Sequence, residues 1–309
     1  MSTLFLSVIV PVYNDSARLQ LCLESLEKQT LSKEKYEIIV IDNNSVDNVA
    51  DVVNGFPQAV LACENKIGSY AARNKGISLA KGNAFAFTDS DCIPAEDWLE
   101  KGIWHLQQTP NCGFIAGDIR LFFQRSDRPN PIELYDSLFN LQQKKYLEEQ
   151  GWGATANLFA FKSVFEQVGD FNIRLQSGGD AEWGKRVSAA GYQVFYAEDC
   201  YIHHPARALF GQFCQKNRRT LIGAYRLSQT STHDHILQSF VFEDSLLTQL
   251  RPPLRSAFRK SYQDGRLNRG SHKITVFLLV VFFHYLRAFE ILRLKFIDFK
   301  ASSFRARPS

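Results

Sequence analysis

Apolar and polar positions alternate along the first 120 residues in a way that predicts strands and helices following one another. Residues 5–12 (FLSVIVPV) are an apolar run rich in β-branched residues, which is typical of a buried strand. Residues 13–30 begin with residues that cap helices, and their apolar side chains then recur at helical spacing. These apolar positions are Leu19, Cys22, Leu23 and Leu26.

The same alternation continues to residue 117. Further strands are predicted at residues 36–41, 59–63, 84–87 and 112–117, and further helices at residues 69–81 and 95–108. Strands that alternate with helices at this spacing predict an α/β fold with a mostly parallel, Rossmann-like sheet and helices on both faces. Residues 206–309 are predicted to be a helical C-terminal extension.

Polar residues follow three of the predicted strands, at the point where each strand ends. The three segments are Tyr13-Asn14-Asp15, Asp42-Asn43-Asn44 and Asp89-Ser90-Asp91. Because the carboxyl ends of parallel strands meet at one edge of the sheet, where ligands bind in such folds, these segments predict an acidic, amide-rich crevice.

The pair Asp89 and Asp91 has two interpretations. Short Asp/Ser clusters often form only the turn after a strand. Alternatively, the two carboxylates hold Mg²⁺ or Mn²⁺, hard cations that prefer oxygen ligands and share them with substrate phosphates. Neither G-x-G-x-x-G nor G-x-x-x-x-G-K-[ST] follows the first strand, so the sequence offers no dinucleotide or P-loop motif to hold a phosphate.

Charge is distributed unevenly along the chain. The 309 residues carry a formal net charge of +4, but residues 251–309 contain 13 Lys/Arg and 3 Asp/Glu, a local charge of +10. This basic segment favours an anionic partner, most simply a membrane surface or a phosphorylated molecule. The six cysteines are scattered and no signal peptide is recognised, so we expect a cytoplasmic protein.

The C-terminal extension contains the most apolar segment of the chain. Residues 274–283 (ITVFLLVVFF) are about half the length that a membrane-spanning helix needs, so an interfacial helix and a core or dimer helix both remain open. Residues 207–226 hold five Lys/Arg and no acid. They form either a solvated helix face or a site for the phosphates of a lipid-linked acceptor or an anionic lipid.

Several motifs, in order and spacing, resemble one known family. The segments are SVIVPVYND, IIVIDNNSVDN, ENKIGSYAARNKGISLAKG, FTDSDCIP, ATANLFAFKSVFEQVGDFN and SGGDAEWGKRVSAAGY. Together they resemble glycosyltransferase family 2 over residues 5–205. The resemblance implies a GT-A fold for residues 1–205, with a nucleotide-sugar half at about 1–118 and an acceptor half at about 119–205.

The resemblance also implies roles for particular residues. The residues implied for nucleotide-sugar binding are Pro11, Tyr13, Asp15, Asp42, Arg73 and Asp89. The residues implied for metal binding are Asp91, Asp89 and His204. Asp180 would be the catalytic base. The sequence departs from the family pattern at Asn43, where Asp is common, and at Gly179, where Glu is usual; Glu182 could compete for the base role.

Each of these residues also has a purely structural interpretation. Asp180 could cap a helix, Arg73 could lie on a helix surface, and His204 could be an ordinary core histidine. Trp152 either stacks on a sugar or packs in the core.

The residues and the family resemblance together favour a glycosyltransferase, and the resemblance implies that it inverts the anomeric configuration. It would move a sugar from a nucleotide sugar, taken to be a UDP-sugar, to a hydroxyl of a glycan or lipid-linked acceptor, with Mn²⁺ or Mg²⁺ as cofactor. We expect a role in cell-surface polysaccharide synthesis, a cytoplasmic or peripheral membrane location, and no nucleic-acid partner. Two alternatives are a non-catalytic scaffold protein of a glycan assembly complex and, less favoured, a sugar nucleotidyltransferase.

Overall fold

The computed structural model of the protein describes residues 5–230, 250–267 and 269–305, and the chain forms two compact units. The first unit runs to Phe122 and resumes from Leu141 to Pro205. The second unit comprises Phe123–Asn140 and the chain from Ala206 onward. Residues 123–140 thus group with the C-terminal extension, whereas the sequence placed them in the domain of residues 1–205.

An eight-stranded mixed sheet forms the centre of the first unit. Its strands are β1 (Leu6–Val12), β2 (Tyr36–Asp42), β3 (Ala59–Cys63), β4 (Ala84–Thr88), β5 (Ile93–Pro94), β6 (Cys112–Phe122), β7 (Asn157–Phe161) and β8 (Gln193–Pro205). Their order across the sheet is β3-β2-β1-β4-β7-β6-β8-β5. The predicted α/β class is confirmed, and four of the seven strand pairings are parallel.

Helices of the first unit follow the strands closely. They are α1 (Ser16–Glu27), α2 (Val49–Asn54), α3 (Ser69–Leu79), α4 (Trp98–Gln108), α6 (Gln143–Gln150), α7 (Lys162–Val168) and α8 (Gly179–Ala189). The apolar side chains predicted for the first helix are buried, and β1 and β4 are buried along nearly their whole length. Central strands of a parallel sheet are covered on both faces, which explains their continuous apolar runs.

The antiparallel strand β7 joins the two parallel parts of the sheet. Its first residue, Asn157, is fully buried and accepts a hydrogen bond from Trp98 Nε1 at 2.8 Å. Its side-chain amide donates to the carbonyls of Asp118 at 2.8 Å and Cys200 at 3.0 Å. A side chain at Gly117 would collide with Asn157 and the Cys200 carbonyl, so glycine permits this close approach.

The second unit consists of helices in its described residues. They are α5 (Pro131–Phe139), α9 (Phe210–Thr230), α10 (Leu254–Tyr262) and α11 (Gly270–Arg305). Helix α11 buries Val276, Val280 and Phe283 against apolar residues of α5, α9 and α10. The predicted helical extension is therefore present, except where it falls on residues 231–249, 268 and 306–309, which lie outside the described residues.

Candidate active site

The three polar segments predicted from the sequence lie together at one edge of the sheet. β1 lies between β2 and β4 and is parallel to both, with Val12 opposite Asp42. Ser90 Oγ donates to Asp15 Oδ2 at 3.0 Å, and the backbone N–H of Asn14 donates to Ser45 Oγ at 2.9 Å. Hydrogen bonds thus connect the segments after β1, β2 and β4 into one cluster.

Asn43 explains the first departure from the family pattern. Its buried side chain donates to the carbonyls of Glu64 at 2.7 Å and Lys66 at 2.8 Å, and it accepts from the Gly68 N–H at 2.7 Å. An ionised aspartate cannot donate, so an amide fits this position better. Asp42 beside it is only partly buried, and its Oδ1 accepts from the Ser45 N–H at 2.9 Å.

Pro11 and Tyr13 flank the crevice from β1. Pro11 is partly buried within the strand and pairs with Ile41. Tyr13 follows the strand and is 63% exposed. The exposed ring offers an apolar surface on which a planar ligand could stack, and nothing in the structure assigns it a role in the core.

Four side chains form the cluster expected for a metal. Asp89, Asp91, Cys92 and His204 place one ligand atom each within 4.8 Å of one another, among the residues that the structure describes. His204 Nε2 lies 3.5 Å from Asp91 Oδ1. Cys92 was not anticipated from the sequence. Mg²⁺ and Mn²⁺ prefer carboxylate and imidazole ligands to a thiol, so Asp89, Asp91 and His204 are the better ligand set.

The imidazole of His204 is oriented as a metal ligand should be. Side chains alternate along β8, so His204 is buried while His203 is exposed. Nδ1 of His204 lies 2.8 Å from the carbonyl oxygen of Pro205, which can only accept a hydrogen bond. Nδ1 therefore carries a proton, and Nε2 is the nitrogen on the side of the carboxylates that would bind a metal. The residues present thus fit a hard divalent cation.

Arg73 is a buried cation and not a surface residue of α3. It is 3% exposed and makes an ion pair with Asp89. The surface interpretation of Arg73 is therefore wrong. Arg73 thus places a guanidinium beside the acidic cluster, where a diphosphate would also carry negative charge.

Arg18 is a second cation at the cluster, and none of the sequence motifs indicated it. Its Nε lies 2.6 Å from Asp15 Oδ1, and its Nη1 lies 3.4 Å from Asp91 Oδ2. It follows Asp15 by three residues at the start of α1, which is the spacing of a helical ion pair. That spacing could have indicated the pair with Asp15, but not the contact with Asp91.

Asp180 lies in the first turn of α8 and does not cap that helix. The capping residue is Gly178, which has a left-handed conformation with φ of 81°. Asp180 Oδ1 accepts from the Tyr70 hydroxyl at 3.1 Å and from the Ala181 N–H at 3.0 Å. Burial raises the pKa of this carboxyl above its ordinary value, and the nearby Arg73 partly opposes the rise. The helix-cap interpretation is therefore wrong.

Glu182 is occupied by a structural ion pair. Arg186 Nε and Nη2 donate to its two carboxylate oxygens at 2.7 and 3.0 Å, and Arg186 also donates to the carbonyls of Val168 and Asp170. Both oxygens of Glu182 are engaged, so it is a poor candidate for a base. The structure thus separates two acids that sequence spacing alone left in competition.

Trp152 packs within the first unit. Its ring stacks on Tyr146 with centroids 4.3 Å apart, and its Nε1 donates to Gln150 Oε1 at 2.7 Å. It also packs against the main apolar cluster of the sheet. Of the two interpretations of Trp152, these contacts favour packing over stacking on a sugar.

Comparison with known proteins identifies the family. The family model for glycosyl transferase family 2 matches residues 7–169. The glycosyltransferase AglE of Haloferax volcanii is 39% identical over 220 residues, which cover 70% of this chain and 71% of AglE. The chain belongs to glycosyltransferase family 2. As a family 2 glycosyltransferase, it is an enzyme that transfers a sugar from a nucleotide sugar.

Two further similarities are informative. A dolichyl N-acetyl-α-D-glucosaminyl phosphate 3-β-D-2,3-diacetamido-2,3-dideoxy-β-D-glucuronosyltransferase of Methanococcus voltae is 22% identical over 204 residues, covering 62% of this chain and 64% of that protein. A mannosyltransferase of Pyrobaculum calidifontis, solved with GDP-Man and Mn²⁺, superposes with a TM-score of 0.65 at 16% identity. The superposition covers 96% of this chain and 88% of that one and confirms the predicted GT-A fold.

Proposed function

We propose that this family 2 enzyme inverts the anomeric centre of a UDP-sugar as it transfers the sugar to a hydroxyl of a glycan or lipid-linked acceptor in cell-surface polysaccharide synthesis. The observation that supports this most strongly is the juxtaposition of two groups at one sheet edge. A cluster of Asp89, Asp91 and His204 fits a divalent cation. Helix α3 links the two groups, because its Arg73 pairs with Asp89 and its Tyr70 donates to Asp180. Among the described residues, no ion pair occupies the carboxylate of Asp180.

The residues would share the reaction as follows. Asp91, Asp89 and His204 would hold Mn²⁺ or Mg²⁺, which when bound offsets the charge on the departing nucleoside diphosphate. Arg73 would hold Asp89 in place through their ion pair. Pro11, Tyr13, Asp15 and Asp42 would bind the nucleoside.

Asp180 would act on the acceptor. Its Oδ1 is held by two donors, the Tyr70 hydroxyl and the Ala181 N–H, and Oδ2 is the other oxygen of the carboxylate. Oδ2 would therefore take the proton of the acceptor hydroxyl while the hydroxyl oxygen attacks the anomeric carbon. Attack from the face opposite the leaving group, in one displacement, inverts the anomeric configuration.

The donor assignment is tested by titration and by product analysis. We expect calorimetry to show Mn²⁺-dependent binding of UDP, because Asp42 offers a carboxylate to the N–H of uracil. We also expect NMR of the product to show an anomeric configuration opposite to that of the donor. Binding of GDP and not UDP would overturn the assignment of uracil as the base, but it would leave the proposed displacement untouched. A product of retained configuration would overturn the single displacement.

A cavity in the second unit supports an acceptor that is both anionic and apolar. It has a volume of about 620 Å³ and lies among α5, α9, α10 and α11. Its lining combines the cations Arg218, Lys260 and Arg287 with one acid, Glu290, which pairs with Arg218 at 3.5 Å. Apolar residues such as Val280 and Phe283 also line it. The Methanococcus voltae relative is named for a dolichyl-linked sugar phosphate, which has the same two chemical features. We therefore favour a lipid-linked acceptor over a free glycan.

Helix α11 also supports contact with a membrane. By length and composition alone, Gly270–Phe296 is the one helix among the described residues long and apolar enough to cross a membrane. Six large side chains on one face of this helix are 37–62% exposed: Ile274, Leu278, Phe282, Tyr285, Phe289 and Phe296. They fall within an arc of about 80° at 100° per residue and extend for about 33 Å. We propose that this apolar stripe, with the basic charge of residues 251–309, binds an anionic membrane surface.

Vesicle binding tests the stripe. We expect the double variant Leu278→Ser/Phe289→Ser to bind anionic vesicles at least about tenfold more weakly than the parent, because each large apolar side chain contributes about 1.5–3 kcal/mol on burial. Val60→Ser/Trp104→Ser, which changes exposed apolar residues of the first unit, is the matched control. Equal binding by the parent and the stripe variant would reject the proposal. A change in sedimentation coefficient without lipid would instead assign the stripe to self-association.

The cellular location and the division of the chain follow from the same proposal. All six cysteines are free, which favours a reducing compartment such as the cytoplasm. We propose a peripheral enzyme at the inner face of the cell membrane. Residues 1–205, apart from residues 123–140, would form the GT-A domain, and residues 206–309 would carry the basic membrane-associated region.

A further inference from the structure

Tyr70 connects the two halves of the proposed site. It lies in the first turn of α3, one helical turn before Arg73, and it is 6% exposed. Its hydroxyl donates to Asp180 Oδ1 at 3.1 Å across 110 positions of the sequence. Arg73 on the same helix makes an ion pair with Asp89. Helix α3 therefore contacts both the proposed base and the proposed metal site.

The ring of Tyr70 explains why position 179 is glycine. A Cβ built on Gly179 would lie 2.7, 2.8 and 2.9 Å from Tyr70 Cε2, Cζ and Cδ2. These distances are shorter than any van der Waals contact between carbon atoms, so no larger residue fits unless the ring moves. The second departure from the family pattern, glycine where glutamate is usual, thus has a physical reason: the tyrosine ring occupies that space.

The hydrogen bond also selects one oxygen of the base. Oδ1 receives the phenol O–H and the Ala181 N–H, and both donors point at the same atom. Burial and the charge of Asp180 raise the pKa of Tyr70 above its ordinary value, so the phenol remains a donor at neutral pH. A carboxylate fixed through one oxygen presents the other in a defined direction, which a proton acceptor requires.

We infer that Tyr70 is the positioning residue for Asp180, and that Gly179 is glycine in order to admit its ring. This inference rests on the proposed role of Asp180 as the base. Tyr70 does not touch the reacting atoms in this scheme. It holds the carboxylate so that Oδ2 faces the acceptor, and it stabilises the ionised form.

The pH profile of Tyr70→Phe tests the inference. The variant keeps the ring against Gly179 and Phe171 but removes the donor. A hydrogen bond to the charged form lowers a carboxyl pKa, so its loss should raise the pKa of Asp180. The acidic limb, which is the low-pH side of the pH profile of kcat/KM, should then move to higher pH by about one unit. The other groups acting on Asp180 remain in place: its burial, the charge of Arg73, and the backbone N–H groups of Ala181 and of Asp180 itself. We also expect kcat to fall about tenfold, because the carboxylate is less well oriented, with donor affinity unchanged.

Tyr36→Phe is the matched control. Tyr36 is equally buried, and its hydroxyl donates to the Leu26 carbonyl at 2.8 Å, away from the site. This variant should lose thermal stability to a similar extent and leave the acidic limb where it is. An acidic limb that does not move in Tyr70→Phe would reduce Tyr70 to a packing residue and overturn the inference.

A double-mutant cycle tests the pairing with Gly179. Gly179→Ala should lower kcat, because the added methyl displaces the ring, but it should have little further effect in a Tyr70→Ala background. Equal effects of Gly179→Ala in both backgrounds would overturn the pairing.

Asp180→Asn separates this inference from the proposed function. If Asp180→Asn retains activity and the acidic limb, the assignment of the base fails. If it abolishes activity while Tyr70→Phe leaves the limb unmoved, only the role of Tyr70 fails.

Discussion

Asp180→Asn is expected to lower kcat by a factor of roughly 10²–10⁴, the range for loss of a general base, while the affinity for the nucleotide sugar changes less than about twofold. Asparagine has nearly the same shape as aspartate but cannot accept a proton at neutral pH. Donor contacts are proposed at the ends of β1, β2 and β4 and do not involve Asp180. Steady-state kinetics together with calorimetry of donor binding would measure both quantities.

The pH dependence adds a second readout for Asp180. The base acts only when ionised, and burial raises its pKa, so the activity of the parent should fall as pH drops through that raised value. Because the folded pKa lies above the unfolded one, the ionised carboxyl costs stability at neutral pH, and the cost disappears as pH falls. Asp180→Asn should therefore unfold at the same temperature as the parent or higher.

Glu182→Gln is the matched control for Asp180→Asn. The two acids lie in the same helical turn, but both oxygens of Glu182 are held by Arg186. We expect Glu182→Gln to weaken the hydrogen bonds of Arg186 to the carbonyls of Val168 and Asp170, because Arg186 loses its ion pair. The kcat of this variant should stay within about tenfold of the parent value. A larger loss of kcat in Glu182→Gln than in Asp180→Asn would assign the base role to Glu182.

Asp91→Ala is expected to abolish the Mn²⁺ dependence of nucleotide binding and to lower kcat/KM by a factor on the order of 10²–10³, comparable to the loss of one electrostatic stabiliser in an active site. Asp91 is the carboxylate closest to the imidazole of His204, at 3.5 Å. Its cation, Arg18, is half exposed and 3.4 Å away, whereas Asp89 is paired with the buried Arg73. Calorimetry of UDP and GDP with and without Mn²⁺ would measure the change.

Asp97→Ala provides the control for charge alone. Asp97 is a partly buried acid six positions further on and makes an ion pair with Lys101 at 2.7 Å. The Asp97→Ala variant should retain the Mn²⁺ dependence of nucleotide binding. If Asp91→Ala responded to Mn²⁺ as the parent does, Asp91 would not be a metal ligand, and the carboxylates after β4 would be a turn.

The sequence by itself determined the alternation of strands and helices, the edge of the sheet where the candidate site lies, and the family. These features depend on local patterns: apolar runs form the buried strands, and parallel strands bring their carboxyl ends together wherever the topology is α/β. Asp15, Asp42, Asp89 and Asp91 could be named because each follows such a run directly. The family motifs then added Arg73, Asp180 and His204, which lie in weaker local patterns.

Only the tertiary structure decided what these residues touch. Asp180 and Glu182 differ by two positions, yet one meets a tyrosine 110 residues away and the other an arginine on its own helix. The burial of Arg73 and the protonated nitrogen of His204 likewise depend on neighbours that local periodicity does not specify. Gly179 looked like a departure from the family and is explained by the ring of Tyr70. Most of these contacts join segments that lie far apart in the chain. In the folded structure they determine the electrostatic environment of a side chain, its orientation and the space available to it.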